Sequence, residues 1–434
     1  MMQLIDLRGS ALSASELRNI LPRAELDVTR ALGTAAELIS AVRDEGGAAL
    51  REQALRLDGV EPPHLRVPQE AIDEATAGLD PRVRAGLEAM IERVRAGSAA
   101  QVPAPRVTTL GDGAIVELRW HPVARVGLYV PGGKAVYPSS VVMNVCAAAA
   151  AGVTSIAIAS PPQREFGGSV HPTILGAAGL LGITEVYAMG GAGAIGALAH
   201  GVPDIGLEPV EVITGPGNIY VAAAKRIVQS FVGIDSEAGP TEILVLADDS
   251  ADPDHVAADL VSQAEHDELA SALLVTPDPE WAERVLERVA ARAASTKHAE
   301  RVRISLGGRQ SALILVDDLA AGAVVSNAYA PEHLEVQTRE PEAVLATLHN
   351  AGAIFMGANS PVSLGDYLAG SNHVLPTGGQ AAHTPGLGAH TFLRPQQIIR
   401  YDREALRTVS GHVVALAEAE DLPAHGEAVT ARFS

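Results

Sequence analysis

The chain has 434 residues, 47% hydrophobic and 19% charged, which is enough apolar material for more than one core. Its formal net charge is −20 and it holds no run of Lys or Arg, so it lacks the concentrated positive field that nucleic-acid binding needs. A single cysteine, Cys146, excludes a disulfide within the chain, and its place in an Ala-rich helical stretch points to a buried thiol. Residues 1–25 carry acids and no uninterrupted apolar stretch, and no later run reaches membrane-spanning length, so a soluble, cytoplasmic protein is expected.

In chain order, Leu32, Ala36, Ile39 and Val42 fall on one stripe within 27–97, which predicts packed helices. Over 106–122, two strand-like runs flank Gly111, Asp112 and Gly113 and predict a hairpin. From 125 onward short apolar runs alternate with amphipathic ones. Strands are expected at 125–131, 155–162, 185–191 and 210–215, then at 242–248, 271–277, 311–318, 334–338 and 353–357. This rhythm belongs to parallel sheets covered on both faces. The interruption at 234–240 divides it into two α/β units, which are open to reading as distant internal copies. After 377 a Gly- and His-rich loop leads to a helix at 403–421, broken at Pro423. No strand is expected there, so this tail must dock elsewhere, another subunit being one option.

Several stretches could carry chemistry. Residues 365–378 (GDYLAGSNHVLPTG) set Asp366, Asn372 and His373 among glycines, an acid and an imidazole where backbone can approach a ligand. Gln263 and His266 are three apart on a helix and share a face, so one cation could touch both. Glu332 and His333 place an acid beside an imidazole, a pairing suited to proton transfer. Gly191, Gly193 and Gly196 have dinucleotide-fingerprint spacing, although Glu211, one of the two acids near enough to hold a ribose, is expected within a strand rather than at its end. The loop 214–218 (TGPGN) joins a strand to a helix and offers free N–H groups to a phosphate. Each also reads as an ordinary turn or solvated helix end, and only their joint occurrence points to a site.

The motifs VGLYVPGG (126–133), YPSSVVMN (137–144), TGPGNIYVAAAKR (214–226), AGPTEI (238–243), SQAEHD (262–267), PEHLE (331–335), GDYLAGSNHVLPTGG (365–379) and EDLPAH (420–425), in that order, resemble the histidinol dehydrogenase family over about 6–433. The resemblance implies an α/β fold of two Rossmann-like, incomplete parallel-sheet domains with small helical N- and C-terminal extensions, assembled as a domain-swapped homodimer. The expected division is an N-terminal arm (1–25), a first α/β domain carrying the metal and catalytic residues (26–124 with 240–380), a second on the NAD side (125–239), and a tail (381–434) reaching the partner's site.

The resemblance further implies oxidation of L-histidinol to L-histidine through an enzyme-held aldehyde, with two NAD reduced and one Zn2+ per subunit. Gln263, His266, Asp366 and His425 look like the metal ligands. Thr241, His333, His373 and Glu420 join them as substrate contacts, and Glu332 and His333 form the acid–base pair. Tyr129, Gly193 and Asn218 match the NAD contacts; the family commonly has Gln where Gly193 stands, which leaves only backbone there. Zinc would anchor the substrate rather than activate water, and the second oxidation would run through a hydrated aldehyde, not a thiohemiacetal on Cys146. A dehydrogenase of another small amino alcohol or polyol, a zinc hydrolase and a binding protein without turnover are the competing readings.

Overall fold

Three sheets organise residues 2–24, 27–132, 136–237 and 239–434, which the computed structural model describes. Gly133 and Ala238, within two of the motifs, and Glu25, in the N-terminal arm, lie outside the described residues. The chain opens with β1 (Gln3–Asp6) and later forms the expected hairpin from β2 (Arg106–Gly111) and β3 (Ala114–Pro122). Then β4 (Arg125–Tyr129), β5 (Ser155–Ser160), β6 (Val186–Ala188), β7 (Val212–Thr214) and β8 (Gly233–Ile234) build a parallel sheet in the order β6-β5-β4-β7-β8.

A second parallel sheet takes β9 (Glu242–Ala247), β10 (Ser271–Thr276), β11 (Ala312–Leu315), β12 (His333–Gln337) and β13 (Ala353–Met356) in the order β11-β10-β9-β12-β13. Both sheets share one winding: three strands laid outward, then a return past the first strand to add two more. Each is the doubly wound pattern with its sixth strand missing. All residues of β9, β10 and β12 are buried, as expected for strands covered by helices on both faces.

Three expectations are corrected. The N-terminal arm is partly a strand: β1 extends the second sheet, pairing in parallel with β11 from Gln3 opposite Ala312. The helices of 27–99 cover the first sheet, not the second with which they were grouped. Leu32–Glu45 packs on Gly191–His200 and Ile219–Val228, Gln69–Ala77 on Pro172–Leu180, and Pro81–Ala99 on Pro138–Ala151. An amphipathic helix declares that it has a buried face, not which sheet receives it.

The third correction concerns the tail, which does contain a strand. β14 (Leu393–Tyr401) pairs antiparallel with β3 along its whole length, from Leu393 opposite Pro122 to Tyr401 opposite Ala114. β14 is an edge strand that keeps a proline, Pro395, and stays largely exposed, so it shows neither alternation nor an apolar run. Beyond it, helices Arg403–Ala419 and Pro423–Thr430 pack on each other.

Helix Pro81–Ala99 also touches the stretch that carries Asp366 and His373. A Cβ on Gly97 would collide with the carbonyl oxygen of Gly370, whose φ of +84° sets the turn. Because that obstacle is backbone, Gly97→Ala should displace the 365–378 stretch. The expected result is a loss of about 1–3 kcal/mol in chemical denaturation, accompanied by weaker binding at Asp366 and His373; unchanged stability would show that the contact yields freely.

Candidate active site

The site is built where β9 and β12 begin, side by side, with His333 opposite Ile243 in the ladder. The backbone of residue 242 uses both of its polar groups there. Its N–H donates to Glu332 Oε2 at 2.9 Å, and its C=O lies 2.9 Å from His333 Nδ1. A carbonyl oxygen only accepts, so Nδ1 carries the proton and Nε2 of the neutral ring keeps its lone pair. The Thr241 hydroxyl donates to the same Glu332 oxygen at 2.6 Å and accepts from Gln263 Nε2 at 2.7 Å.

Electrostatics divide the two groups. Burial is the main cause that lifts the Glu332 carboxyl to about 7, against the opposing pull of the Thr241 hydroxyl and the 242 N–H. Burial pushes His333 the other way, below its usual value. Near neutral pH the pair is therefore an unprotonated imidazole beside a carboxyl poised between its two forms, His333 Nδ1 lying 3.5 Å from Glu332 Oε2.

Helix Pro253–Ala264, begun by the Asp252 cap and Pro253 at its first position, carries Gln263 to the cleft. His266 follows in the next turn, its Nδ1 3.2 Å from the Gln263 carbonyl. Asp366 lies not in a free loop but at the end of a short helix, Val362–Tyr367. There the Phe355 ring lies against Gly365, where a Cβ would collide with it. Asp366 Oδ2 is 4.0 Å from His266 Nε2, and Oδ1 is 4.0 Å from His373 Nδ1. Gln263 Oε1 is buried and has no hydrogen-bond partner. An unpartnered amide oxygen near an imidazole and a carboxylate is a donor set that suits zinc.

Among the described residues, no group of three or more His, Cys, Asp or Glu gathers as a metal site. His425, on Pro423–Thr430, and Glu420 are exposed, and neither side chain makes a hydrogen bond or ion pair among the described residues. One chain thus brings together Thr241, Gln263, His266, Glu332, His333, Asp366 and His373, and leaves Glu420 and His425 outside.

The other candidate residues meet at the first sheet, where winding reverses between β4 and β7, the usual place for a ligand in such a sheet. Tyr129 ends β4, its hydroxyl accepting from the Gly191 N–H at 3.2 Å, and burial pushes it to about 12. The 214–218 loop follows β7. Gly215, at φ +114°, has no room for a side chain beside the Tyr129 carbonyl. Buried Lys225 donates to the Gly215 carbonyl at 2.7 Å and pairs with Asp235, which accepts the Gly215 N–H at 2.8 Å. Asn218 caps the next helix, accepting from the Tyr220 and Val221 N–H groups at 3.0 and 3.2 Å.

Gly193 and Gly196 lie on the face of Gly191–His200 that packs on Leu32–Glu45 and on the helix Gly47–Gln53. A Cβ on Gly193 would collide with Gln53 Oε1, and one on Gly196 would press on Ile39. Close helix packing accounts for this glycine spacing. Glu211 precedes β7 rather than sitting within it, and its carboxylate accepts the Ala124 N–H at 2.6 Å.

Sequence reasoning did not single out Ser140 or Asn144, although both lie in YPSSVVMN. Ser140 Oγ is 3.0 Å from His373 Nε2, while Asn144 donates to the Ser140 carbonyl at 2.7 Å and accepts from the Thr214 hydroxyl at 2.6 Å. Cys146 is buried in the same helix, and burial pushes its thiol up to about 11, far from the thiolate that a nucleophile would need.

A protein-family description, histidinol dehydrogenase, matches residues 21–433. A histidinol dehydrogenase of Leifsonia xyli is 67% identical over 432 residues, spanning 100% of this chain and 99% of the relative. That of Mycobacterium tuberculosis is 57% identical, with 99% and 97% covered. The crystal structure of histidinol dehydrogenase from Elizabethkingia anophelis is similar with a TM-score of 0.93 at 31% identity, covering 100% of this chain and 98% of that one.

The packing of Gly193 yields a test. Gly193→Gln should cost about 1–3 kcal/mol in thermal or chemical denaturation and should not tighten NAD, because the new side chain meets Gln53, whose amide is held by the Leu38 carbonyl at 3.0 Å. Adding Gln53→Ala should return most of the loss. Tighter NAD binding by Gly193→Gln alone, read by titration, would show that the residue faces the dinucleotide.

Proposed function

Because the chain belongs to the histidinol dehydrogenase family and is thus an oxidoreductase, we propose that it oxidises L-histidinol to L-histidine in two steps through an aldehyde kept on the enzyme. The observation that carries the chemistry is the buried Glu332–His333 pair held by the backbone of residue 242 and linked through Thr241 to Gln263, whose amide oxygen has no partner. Gln263, His266 and Asp366, with His425 of the partner subunit, would hold Zn2+; Thr241, His333, His373 and Glu420 of the partner subunit would complete the substrate pocket. Bound zinc supplies a cation that anchors the substrate's amine and imidazole, and NAD, held by Tyr129, Asn218 and backbone near Gly193, supplies the hydride acceptor. No helix among the described residues is long and apolar enough to cross a membrane, and the proposed setting is the cytoplasm.

In the first oxidation the alcohol O–H must lose its proton as the carbon loses hydride. His333 Nε2 is the group for that proton, since its ring is neutral and its other nitrogen is fixed by the 242 carbonyl. In the second, water must add to the aldehyde before hydride can leave again. Glu332, whose carboxyl lies near 7, takes the water's proton, steadied as a carboxylate by Thr241 and the 242 N–H. Ionisation of Glu332 makes this half rise with pH through about 7.

Glu332→Gln should therefore slow oxidation of supplied histidinal by about 100-fold or more while sparing the conversion of histidinol to aldehyde. Single-turnover NADH yields from each substrate measure it. Equal losses in both halves would remove the division of labour between Glu332 and His333.

A homodimer with exchanged tails is proposed from the exposed Glu420 and His425 and from apolar surface on the same tail. Ile399 of β14 and Leu416 of the following helix are 68% and 64% exposed. Asp366→Ala and His425→Ala should each be inactive alone. Refolding them together makes about half of the dimers mixed, each with one intact site, so about a quarter of full activity should return. No recovery, with a wild-type control that recovers, would place His425 in its own subunit's site.

A further inference from the structure

We propose that Arg23, far from the acid–base pair in sequence, is a positioning residue for it: its guanidinium fixes the buried side chain of Glu242, and Glu242 in turn holds Glu332 and His333 through its backbone. The inference deepens the reading of Glu332 and His333 as the proton acceptors and rests on it.

Arg23 follows the helix Ala14–Ile20 and reaches the start of β9, where Nη1 lies 2.6 Å from Glu242 Oε1. Its guanidinium also stacks 4.0 Å over the Tyr329 ring and donates to the Tyr329 carbonyl, so the cation is held on three sides. Glu242 is 2% exposed, and its second oxygen, Oε2, is buried without a hydrogen-bond partner. The ion pair with Arg23 is thus the main compensation for a carboxylate removed from water. Burial raises the Glu242 carboxyl to about 7, with Arg23 the largest opposing influence.

The consequence for catalysis follows from where Glu242 sits. Its N–H is one of two donors to Glu332 Oε2, and its C=O is the acceptor that fixes the His333 ring. With Arg23 gone, the carboxyl loses its one cation and keeps only the backbone N–H groups of Gly378 and Glu332, and it has two ways to relax: take a proton, or swing toward water. The second drags the first residue of β9 and with it both hydrogen bonds to the acid–base pair. A displacement on the order of 1 Å in such groups is enough to slow turnover by up to about a hundredfold. Thr241 and His333 also belong to the proposed substrate pocket, so KM for histidinol should move with kcat, whereas the proposed dinucleotide contacts lie on other residues and the affinity for NAD should hardly change.

The test uses the full-length holoenzyme, with kcat and KM for histidinol and NAD and a thermal melt for each variant. Arg23→Met should lower kcat by about ten- to a hundredfold, at temperatures well below its melting point, with KM for NAD within about twofold. Arg23→Met combined with Glu242→Met, which removes the orphaned carboxyl and keeps the volume, should recover most of the lost kcat. If Arg23→Met merely lowers the melting temperature and leaves kcat intact, Arg23 is a fastener and the proposal is wrong. A folded double variant as slow as Arg23→Met also overturns it. Should Arg23→Met not fold, the double variant decides: kcat near wild type supports the proposal, and a folded but slow enzyme refutes it. Glu332→Gln is the control for the underlying reading. If that variant keeps the aldehyde half-reaction, the assignment of Glu332 fails; if it loses it while Arg23→Met does not slow, only the inference about Arg23 fails.

Discussion

The parallel pairing of β9 with β12 is the constraint on which the site depends. The two proposed proton acceptors have different tasks and must keep their separation, and here both bond to the backbone of a single residue of β9, Glu332 to the N–H and His333 to the C=O of residue 242. That residue cannot drift, because β9 and β12 are central strands, buried throughout, and their register sets His333 opposite Ile243. A slip of one residue would turn His333 to the other face of the sheet and carry Glu332 off the 242 N–H. The sheet's core therefore sets the geometry of the pair directly: apolar side chains of β9 and β12 determine where the two proposed proton acceptors stand.

Much of the fold can be read from the chain because its central strands are short apolar runs and its helices are periodic. EILVLA and SALLVT admit few readings other than strands covered on both faces, and Pro253 after Asp252 marks a helix start unambiguously. What could not be read is which elements meet. The helices before residue 100 are as amphipathic as any others, yet nothing in their pattern says that they cover the sheet formed after residue 125. β14 escaped because an edge strand of a half-exposed ribbon needs no apolar face and tolerates Pro395.

The site divides in the same way. Glu332, His333, Gln263, His266 and Asp366 are chemically marked residues in unusual company, so their types and spacing carry information, and the fold brings them to one cleft. Glu242, Arg23, Ser140 and Asn144 act by holding others, and a residue that works through its partner has no local signature. The glycine pattern from 191 to 196 shows the converse hazard. Its spacing is that of a phosphate loop, but the space behind Gly193 and Gly196 is filled by Gln53 and Ile39, so tight helix packing and ligand approach leave the same trace in sequence.

The two candidate subsites occupy opposite kinds of sheet edge. Tyr129 and the 214–218 loop stand at the carboxyl ends of β4 and β7, whereas Thr241, Glu332 and His333 stand where β9 and β12 begin. The connection from Ile234 to Glu242 joins the carboxyl end of the first sheet to the amino end of the second. Polar contacts then tie the edges together. His373 meets Ser140, the Ser140 carbonyl accepts from Asn144, and Asn144 accepts from Thr214, while Asn372 donates to the Met143 carbonyl at 3.0 Å. Because Asn144 is fully buried and both ends of its amide are used, this bridge is costly to break. In the proposed reaction a hydride passes between two ligands whose carriers lie on different sheets, and the bonded strut through helix Pro138–Ala151 holds those two carriers together.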